Sequence, residues 1–126
     1  MTEALAGKRI LVVEDEYYIA TEIRRMLASA GAIVIGPVGQ FDRGMLLADE
    51  QIDAAILDVN LETDLSYPIA DRLRRRDIPY MFLTGYDGWS LPADYRDEAR
   101  LAKPFQAQAL VEMVETLVSR PRASRT

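Results

Sequence analysis

The sequence predicts an α/β fold in which helices cover both faces of a five-stranded parallel sheet. Five apolar runs, each too short for a helix, alternate with stretches in which apolar residues recur at helical spacing. The chain has 126 residues, 49% of them hydrophobic, which suits one domain with its own core. Strand–helix units repeated in this way are typical of a doubly wound sheet, whose common five-stranded order is 2-1-3-4-5.

The five predicted strands are short runs of apolar residues. They are Lys8 to Val13, Ala32 to Gly36, Asp53 to Leu57, Ile78 to Leu83 and the shorter Ala99 to Ala102. A strand that is buried on both faces has a continuous apolar run of this kind rather than an alternating one. We therefore expect helices to pack against both sides of the sheet.

The first and last predicted helices have clear apolar stripes. The first helix is expected to end at Gly31, in a left-handed conformation that glycine adopts readily. After the last helix, residues 120–126 carry three arginines, so we expect a folded domain over residues 1–119 and a flexible basic tail over 120–126. The stripe residues are Ile19, Ile23, Met26, Leu27 and Ala30 in the first helix and Leu110, Met113, Val114, Leu117 and Val118 in the last.

The middle helices are predicted from capping signals. Asp42 is expected to cap the second helix, and Pro68 to lie in the first turn of the third. Between the fourth and fifth strands, Trp89, Pro92 and the charged run from Asp94 to Arg100 indicate only a short or irregular fourth helix. The apolar positions of the second and third helices are Met45, Leu46, Leu47, Ile69, Ala70 and Leu73.

The composition excludes several classes of function. The chain has no His and no Cys, which excludes Ser-His-Asp and Cys-His catalysis, His-ligated zinc, iron–sulfur clusters and disulfides. The net charge is -5, and residues 1–119 alone carry 12 basic against 20 acidic residues, so nucleic acid is not an expected partner. No apolar run suits a signal peptide or a membrane span, so we expect a cytoplasmic protein without a membrane partner.

Polar residues at the ends of four predicted strands form the candidate site. In the order 2-1-3-4-5, the first, third, fourth and fifth strands are neighbours, and ligands bind beyond their carboxyl ends. The residues that follow these strands are Glu14 and Asp15, Asp58, Thr84 and Lys103. We expect their side chains to meet at one edge of the sheet.

This set of side chains suits a divalent cation and a phosphoryl group. Three converging carboxylates repel one another unless a cation neutralises them, and Mg²⁺ prefers oxygen ligands. Glu14, Asp15 and Asp58 are therefore candidate metal ligands, and Asn60 is placed to add a backbone carbonyl. Only two of the 15 basic residues are lysines, and a compact ammonium at Lys103 suits a phosphoryl oxygen. The hydroxyl of Thr84 can donate to a second phosphoryl oxygen.

Each of these residues also has an ordinary structural explanation. Glu14 and Asp15 can favour the start of the first helix through its dipole, and Asp58 can be a turn residue. Thr84 can simply end a strand, and Lys103 can be a solvated surface charge. The functional interpretation depends on all five side chains meeting in one place.

The chain resembles the receiver domain of bacterial two-component response regulators. The resemblance runs through LVVEDE, ILDVNL, TGY and KPF and covers essentially the whole chain. It implies that Asp58 accepts a phosphoryl group from a histidine kinase or histidine phosphotransferase, that Glu14 and Asp15 hold Mg²⁺, and that Thr84 and Lys103 stabilise the phosphorylated state. It also implies a signalling switch that catalyses only its own phosphorylation and dephosphorylation and acts on a downstream protein.

A narrower resemblance concerns the fourth strand. The stretch IPYMFLTGYDG is similar to a subset of stand-alone receivers that read Phe-x-Phe-Ala-Thr-Gly-Tyr there, with Leu83 in place of that Ala. Gly85 and Arg100 stand where the wider family usually has Ala and an aromatic switch residue. Because a guanidinium is costly to bury without a partner, we expect Tyr86 to be the switch residue, with Gly85 allowing Thr84 and Tyr86 to move together. The alternative is that Tyr86 is an ordinary loop aromatic.

The expected function is that of a single-domain response regulator. Only a short tail follows the last helix, so we expect output through protein contacts or phosphate relay. One alternative is a degenerate receiver that docks a partner without phosphorylation. Another is a Mg²⁺-dependent phosphatase with an aspartyl nucleophile, but such enzymes commonly have a second Asp at the position of Asn60. No Gly-x-x-x-x-Gly-Lys-Ser/Thr sequence supports a nucleotide hydrolase.

Overall fold

The predicted α/β architecture is confirmed. A computed structural model describes residues 4–61, 64–85 and 91–119. The strands are β1 (Arg9–Val13), β2 (Ile33–Val38), β3 (Ala54–Asp58), β4 (Tyr80–Thr84) and β5 (Ala99–Ala102); the helices are α1 (Tyr17–Ser29), α2 (Phe41–Leu47), α3 (Tyr67–Arg75) and α4 (Ala107–Ser119). The strands form one parallel sheet in the expected order β2-β1-β3-β4-β5.

The sheet separates two hydrophobic cores. Because side chains alternate along a strand, Ile10 and Val12 of β1 pack with α1 and α4, whereas Leu11 and Val13 pack on the side of α2 and α3. All residues of β3 and β4 are buried, as continuous apolar runs predict. The edge strands β2 and β5 are only partly covered.

Strand ends differ slightly from their predicted positions. The strand β2 continues through Pro37 to Val38, which pairs with Val13 beyond a register shift in β1. Proline has no N–H for a sheet ladder, but an edge strand such as β2 tolerates it. The central strands β3 and β4 end on Asp58 and Thr84, so these residues belong to the sheet rather than to the following loops.

The helix ends confirm two predictions and correct one. Gly31, which follows the C-cap residue Ala30 of α1, has a φ of 93°, and Pro68 lies in the first turn of α3. The predicted N-cap at Asp42 is wrong, because α2 is capped by Gln40, whose carbonyl accepts the N–H of Gly44, and Asp42 lies in the first turn. Leu46 does not belong to the buried stripe of α2, since it is 71% exposed.

Among the described residues 91–98 that precede β5, the helical element is a 3₁₀ helix over Ala93–Tyr95, which is short as expected. Tyr95 stacks on Tyr67 of α3 with ring centroids 4.6 Å apart. Arg74 of α3 donates to the carbonyl of Asp94 and to the carboxylate of Glu98, both at 3.0 Å. These contacts hold residues 94–98 against α3.

Several sequence predictions concern residues outside the described ranges. Tyr86, Trp89 and the tail over residues 120–126 are among them. Within the described ranges, no helix combines the length and the apolar character needed to span a membrane.

Candidate functional site

The carboxyl edge of the sheet brings the five predicted residues into one site. Carboxylate oxygens of Glu14, Asp15 and Asp58 lie within 4.8 Å of one another. Asp15, Asp58, Thr84 and Lys103 line a cavity of about 860 Å³ at this edge. The strand-end rule therefore predicted the location of the site correctly.

Asp58 is held at the end of the central strand β3 and is only 6% exposed. Its Oδ2 accepts a hydrogen bond from Nζ of Lys103 at 3.2 Å, and its Oδ1 accepts one from the N–H of Asn60 at 3.3 Å. Burial raises the pKa of Asp58, and the Lys103 ammonium opposes that effect. The carboxylate is thus fixed in orientation, with its outer side directed to the cavity that it lines.

Glu14 follows β1 directly and is 2% exposed. Burial, and then the charge of Asp58, raise the pKa of Glu14 to about 7. Its Oε2 accepts the backbone N–H of Glu16 at 3.0 Å. Its Oε1 lies 3.0 Å from Nζ of Lys103, an ion pair whose alignment is not that of a hydrogen bond, so Oε1 has no hydrogen-bond donor among the described residues.

Lys103 is a half-buried partner of these acids and not a fully solvated surface charge. Its backbone N–H donates to the carbonyl of Thr84 at 2.9 Å, which places it at the end of β5 beside β4. Its side chain is 18% exposed. Burial lowers the pKa of Lys103, but the charges of Glu14 and Asp58 outweigh this effect and the net pKa is raised. Lys103 therefore carries a positive charge at neutral pH.

The other predicted residues lie around this centre. Thr84 is buried at the end of β4, while Asn60 and Gly85 are exposed, and all three line the cavity. The backbone N–H of Asn60 orients Asp58. Tyr86 lies outside the described residues, so the expected switch of Thr84, Gly85 and Tyr86 stays a prediction.

The structure adds two residues that the sequence did not indicate. Glu16 places its Oε1 3.6 Å from Nζ of Lys103. Gly39, after β2, packs so closely on the acidic pair that a Cβ there would lie 2.9 Å from Cα of Asp15. The acidic run at residues 14–16 was a possible signal for Glu16, whereas no local pattern connects Gly39 with Asp15.

The donor set fits a hard divalent cation. Three oxygen ligands converge from Glu14, Asp15 and Asp58, and Oε1 of the buried Glu14 lacks a hydrogen-bond donor among the described residues. Lys103 is a single positive charge beside these acids. A cation such as Mg²⁺ would supply the missing neutralisation with the all-oxygen ligands that it prefers.

Comparison with known proteins identifies similar chains across nearly the full length. The solution structure of SdrG from Sphingomonas melonis Fr1 is 37% identical, with a TM-score of 0.77, over 91% of this chain and 98% of that one. The receiver domain of the sensor histidine kinase PA1611 from Pseudomonas aeruginosa PAO1, with a magnesium ion coordinated in its active-site cleft, is 28% identical, with a TM-score of 0.76, over 91% of this chain and all of that one. No family model matches the chain.

A curated relative is the transcriptional regulatory protein PdtaR of Mycobacterium tuberculosis. It is 30% identical over 125 residues, which cover 95% of this chain and 61% of PdtaR. The chain thus spans less than two thirds of the length of this curated relative.

Proposed function

Because the chain belongs to the response regulator receiver family, we propose that it is a phosphoryl-accepting switch whose nucleophile is Asp58. One observation carries this proposal. The buried Asp58 carboxylate lies at the mouth of a cavity, 3.2 Å from the Lys103 ammonium and inside a cluster of acids that fits a cation. The receiver fold supports a signalling switch rather than an enzyme with a separate substrate.

The proposed reaction transfers a phosphoryl group from a phosphohistidine to Asp58. A carboxylate oxygen of Asp58 forms a new bond to phosphorus while the bond between phosphorus and the imidazole nitrogen breaks. The electron pair of the broken bond stays on the imidazole. Lys103 donates to a phosphoryl oxygen, and the Thr84 hydroxyl is positioned at the same edge to donate to a second.

The proposed metal ligands are Glu14, Asp15, Asp58 and the backbone carbonyl of Asn60. Bound Mg²⁺ would neutralise negative charge on the transferring group. The magnesium ion described in the PA1611 receiver supports this assignment. The residues of this chain hold the acids in place, since the N–H groups of Glu16 and Asn60 bond to Glu14 and Asp58.

The proposed partners are proteins. A histidine kinase or histidine phosphotransferase would supply the phosphoryl group, and a downstream protein would bind the phosphorylated form. The excess of acidic over basic residues in 1–119 disfavours nucleic acid as a direct partner. A stand-alone regulator located in the cytoplasm stays our prediction from the sequence.

The test is phosphorylation with acetyl phosphate and Mg²⁺, followed by intact-mass measurement. We expect the parent chain to gain the mass of one phosphoryl group and to lose it in mild base, as an acyl phosphate does. Asp58→Asn should gain none, because the substitution removes the nucleophile and keeps its shape. Asp42→Asn, an acid-to-amide change on the exposed side of α2, is the matched control and should behave like the parent. Equal incorporation in Asp58→Asn and the parent would refute the proposal.

A further inference from the structure

The Lys103 ammonium is surrounded by three carboxylates. Oε1 of Glu14 lies 3.0 Å from Nζ, Oδ2 of Asp58 lies at 3.2 Å and Oε1 of Glu16 at 3.6 Å. Lysine has three N–H donors and no others. Nζ donates a hydrogen bond to Asp58, while Glu14 and Glu16 form ion pairs with it, so three carboxylates already compete for one ammonium.

Glu16 differs from the other two carboxylates in its surroundings. Its side chain is 65% exposed, whereas those of Glu14 and Asp58 are buried. It is also not a member of the acidic cluster that fits a cation. Its backbone N–H is bound to Glu14, so a side-chain substitution at Glu16 leaves that contact available. Glu16 therefore contacts the ammonium from the solvent side of the site.

A phosphoryl group on Asp58 would require Lys103 to accept a new anionic partner on that same side. Asp58 is the acceptor of the phosphoryl group and Glu14 is only 2% exposed, so the carboxylate that competes with the incoming group for the ammonium on the solvent side is that of Glu16. The Glu16 contact is the longest of the three and the most exposed, so it holds the ammonium weakly. Removing the Glu16 contact should therefore change the rate of phosphorylation only modestly.

We propose that Glu16 is a positioning residue that slows phosphorylation of Asp58 by pairing with the Lys103 ammonium that the incoming phosphoryl group needs. This inference rests on the proposed function. It adds that Glu16, a residue outside the proposed metal ligands, limits the rate at which Asp58 is phosphorylated. Glu16 acts through Lys103 and does not touch the reacting atoms.

Two substitutions separate this role from general repulsion of an anionic phosphodonor. Glu16→Gln keeps the length of the side chain and removes its charge. Glu16→Asp keeps the charge but shortens the side chain by about 1.5 Å, which takes the carboxylate out of reach of Lys103. If Glu16 restrains Lys103, both variants should be phosphorylated faster by acetyl phosphate than the parent, by about two- to fivefold.

The measurement is the initial rate of phosphoryl incorporation by intact mass, at saturating Mg²⁺. Glu112→Gln, on the exposed surface of α4, is the control for loss of one negative charge and should react at the parent rate. Damage to the fold would slow the reaction, so a faster variant cannot be explained by a structural defect. Urea unfolding of each variant checks that the fold is retained.

The remaining outcomes are decisive. An increase in Glu16→Gln alone would show that charge repulsion of the donor is the cause, and it would overturn the proposal. A parent-like or slower rate in both variants would also overturn it while leaving the proposed function intact. If the parent itself gains no phosphoryl group, the proposed function fails, and the inference fails with it.

Discussion

The buried carboxyl of Glu14 should make the stability of the metal-free protein depend on pH. Burial and the charge of Asp58 raise the pKa of Glu14 from its ordinary value of 4.5 to about 7. Below pH 4.5 this group is protonated in both the folded and the unfolded chain. Between pH 4.5 and 7 the folded chain keeps a proton that the unfolded chain has lost, so the free energy of unfolding falls as pH rises.

The two pKa values correspond to a loss of about 3 kcal/mol over the whole range, at about 1.4 kcal/mol per pH unit. From pH 5 to pH 8.5 the loss is about 2–3 kcal/mol, because the unfolded chain is already mostly ionised at pH 5. Glu14→Gln removes this contribution, since the amide has the shape of the protonated carboxyl and does not ionise. The variant should be more stable than the parent by about 1 kcal/mol at pH 5 and by about 3 kcal/mol at pH 8.5.

The assay is urea unfolding followed by circular dichroism in a chelating buffer, at pH 5 and pH 8.5. Glu112→Gln provides the control for removing one surface carboxylate. A difference between parent and Glu14→Gln that is the same at both pH values would refute the reasoning. It would mean that burial and the nearby charge of Asp58 do not destabilise the ionised carboxylate of Glu14.

Three further predictions concern the metal site and the packing around it. Asp15→Asn should lower Mg²⁺ affinity about tenfold in calorimetry. It should not lower the stability of the metal-free chain, because it relieves repulsion among the acids. Unchanged Mg²⁺ affinity would contradict the assigned ligands. Gly39→Ala should lower the free energy of unfolding in urea by about 1–3 kcal/mol and also weaken Mg²⁺ binding, because the new Cβ would lie 2.9 Å from Cα of Asp15. A parent-like Mg²⁺ affinity would show that Gly39 does not position Asp15. Tyr95→Phe removes the hydroxyl that donates to Asp71 and should cost about 1 kcal/mol in urea unfolding without altering Mg²⁺ affinity.

The site could be located from the sequence because parallel strands share one carboxyl edge. Short apolar runs identified the five strands, and Glu14, Asp58 and Lys103 follow or end three of them. Once the strand order was inferred, the convergence of these residues followed from geometry alone. Gly31 and Pro68 were also correctly placed, because capping depends on residues within one helical turn.

Other features depended on contacts between distant parts of the chain. The start of α2 at Phe41 rather than after Asp42 reflects packing of that helix on the core, where Gly44 lies against Ile69 of α3. The contact of Gly39 with Asp15 joins two loops that no local pattern relates. Helix propensity and capping signals depend only on residues that are close in sequence. Tertiary packing overrides them where it contributes more to stability.

The chemistry of the site could likewise be predicted from the sequence only in part. The residue types showed that carboxylates, a hydroxyl and an ammonium would meet, which was enough to predict a cation and a phosphoryl group. Only the folded chain determined that Glu14 is buried close to Asp58 with a raised pKa and that Glu16 reaches Lys103. Desolvation and Coulomb interaction depend on burial and on distances of a few ångströms, and those quantities exist only after the strands have packed.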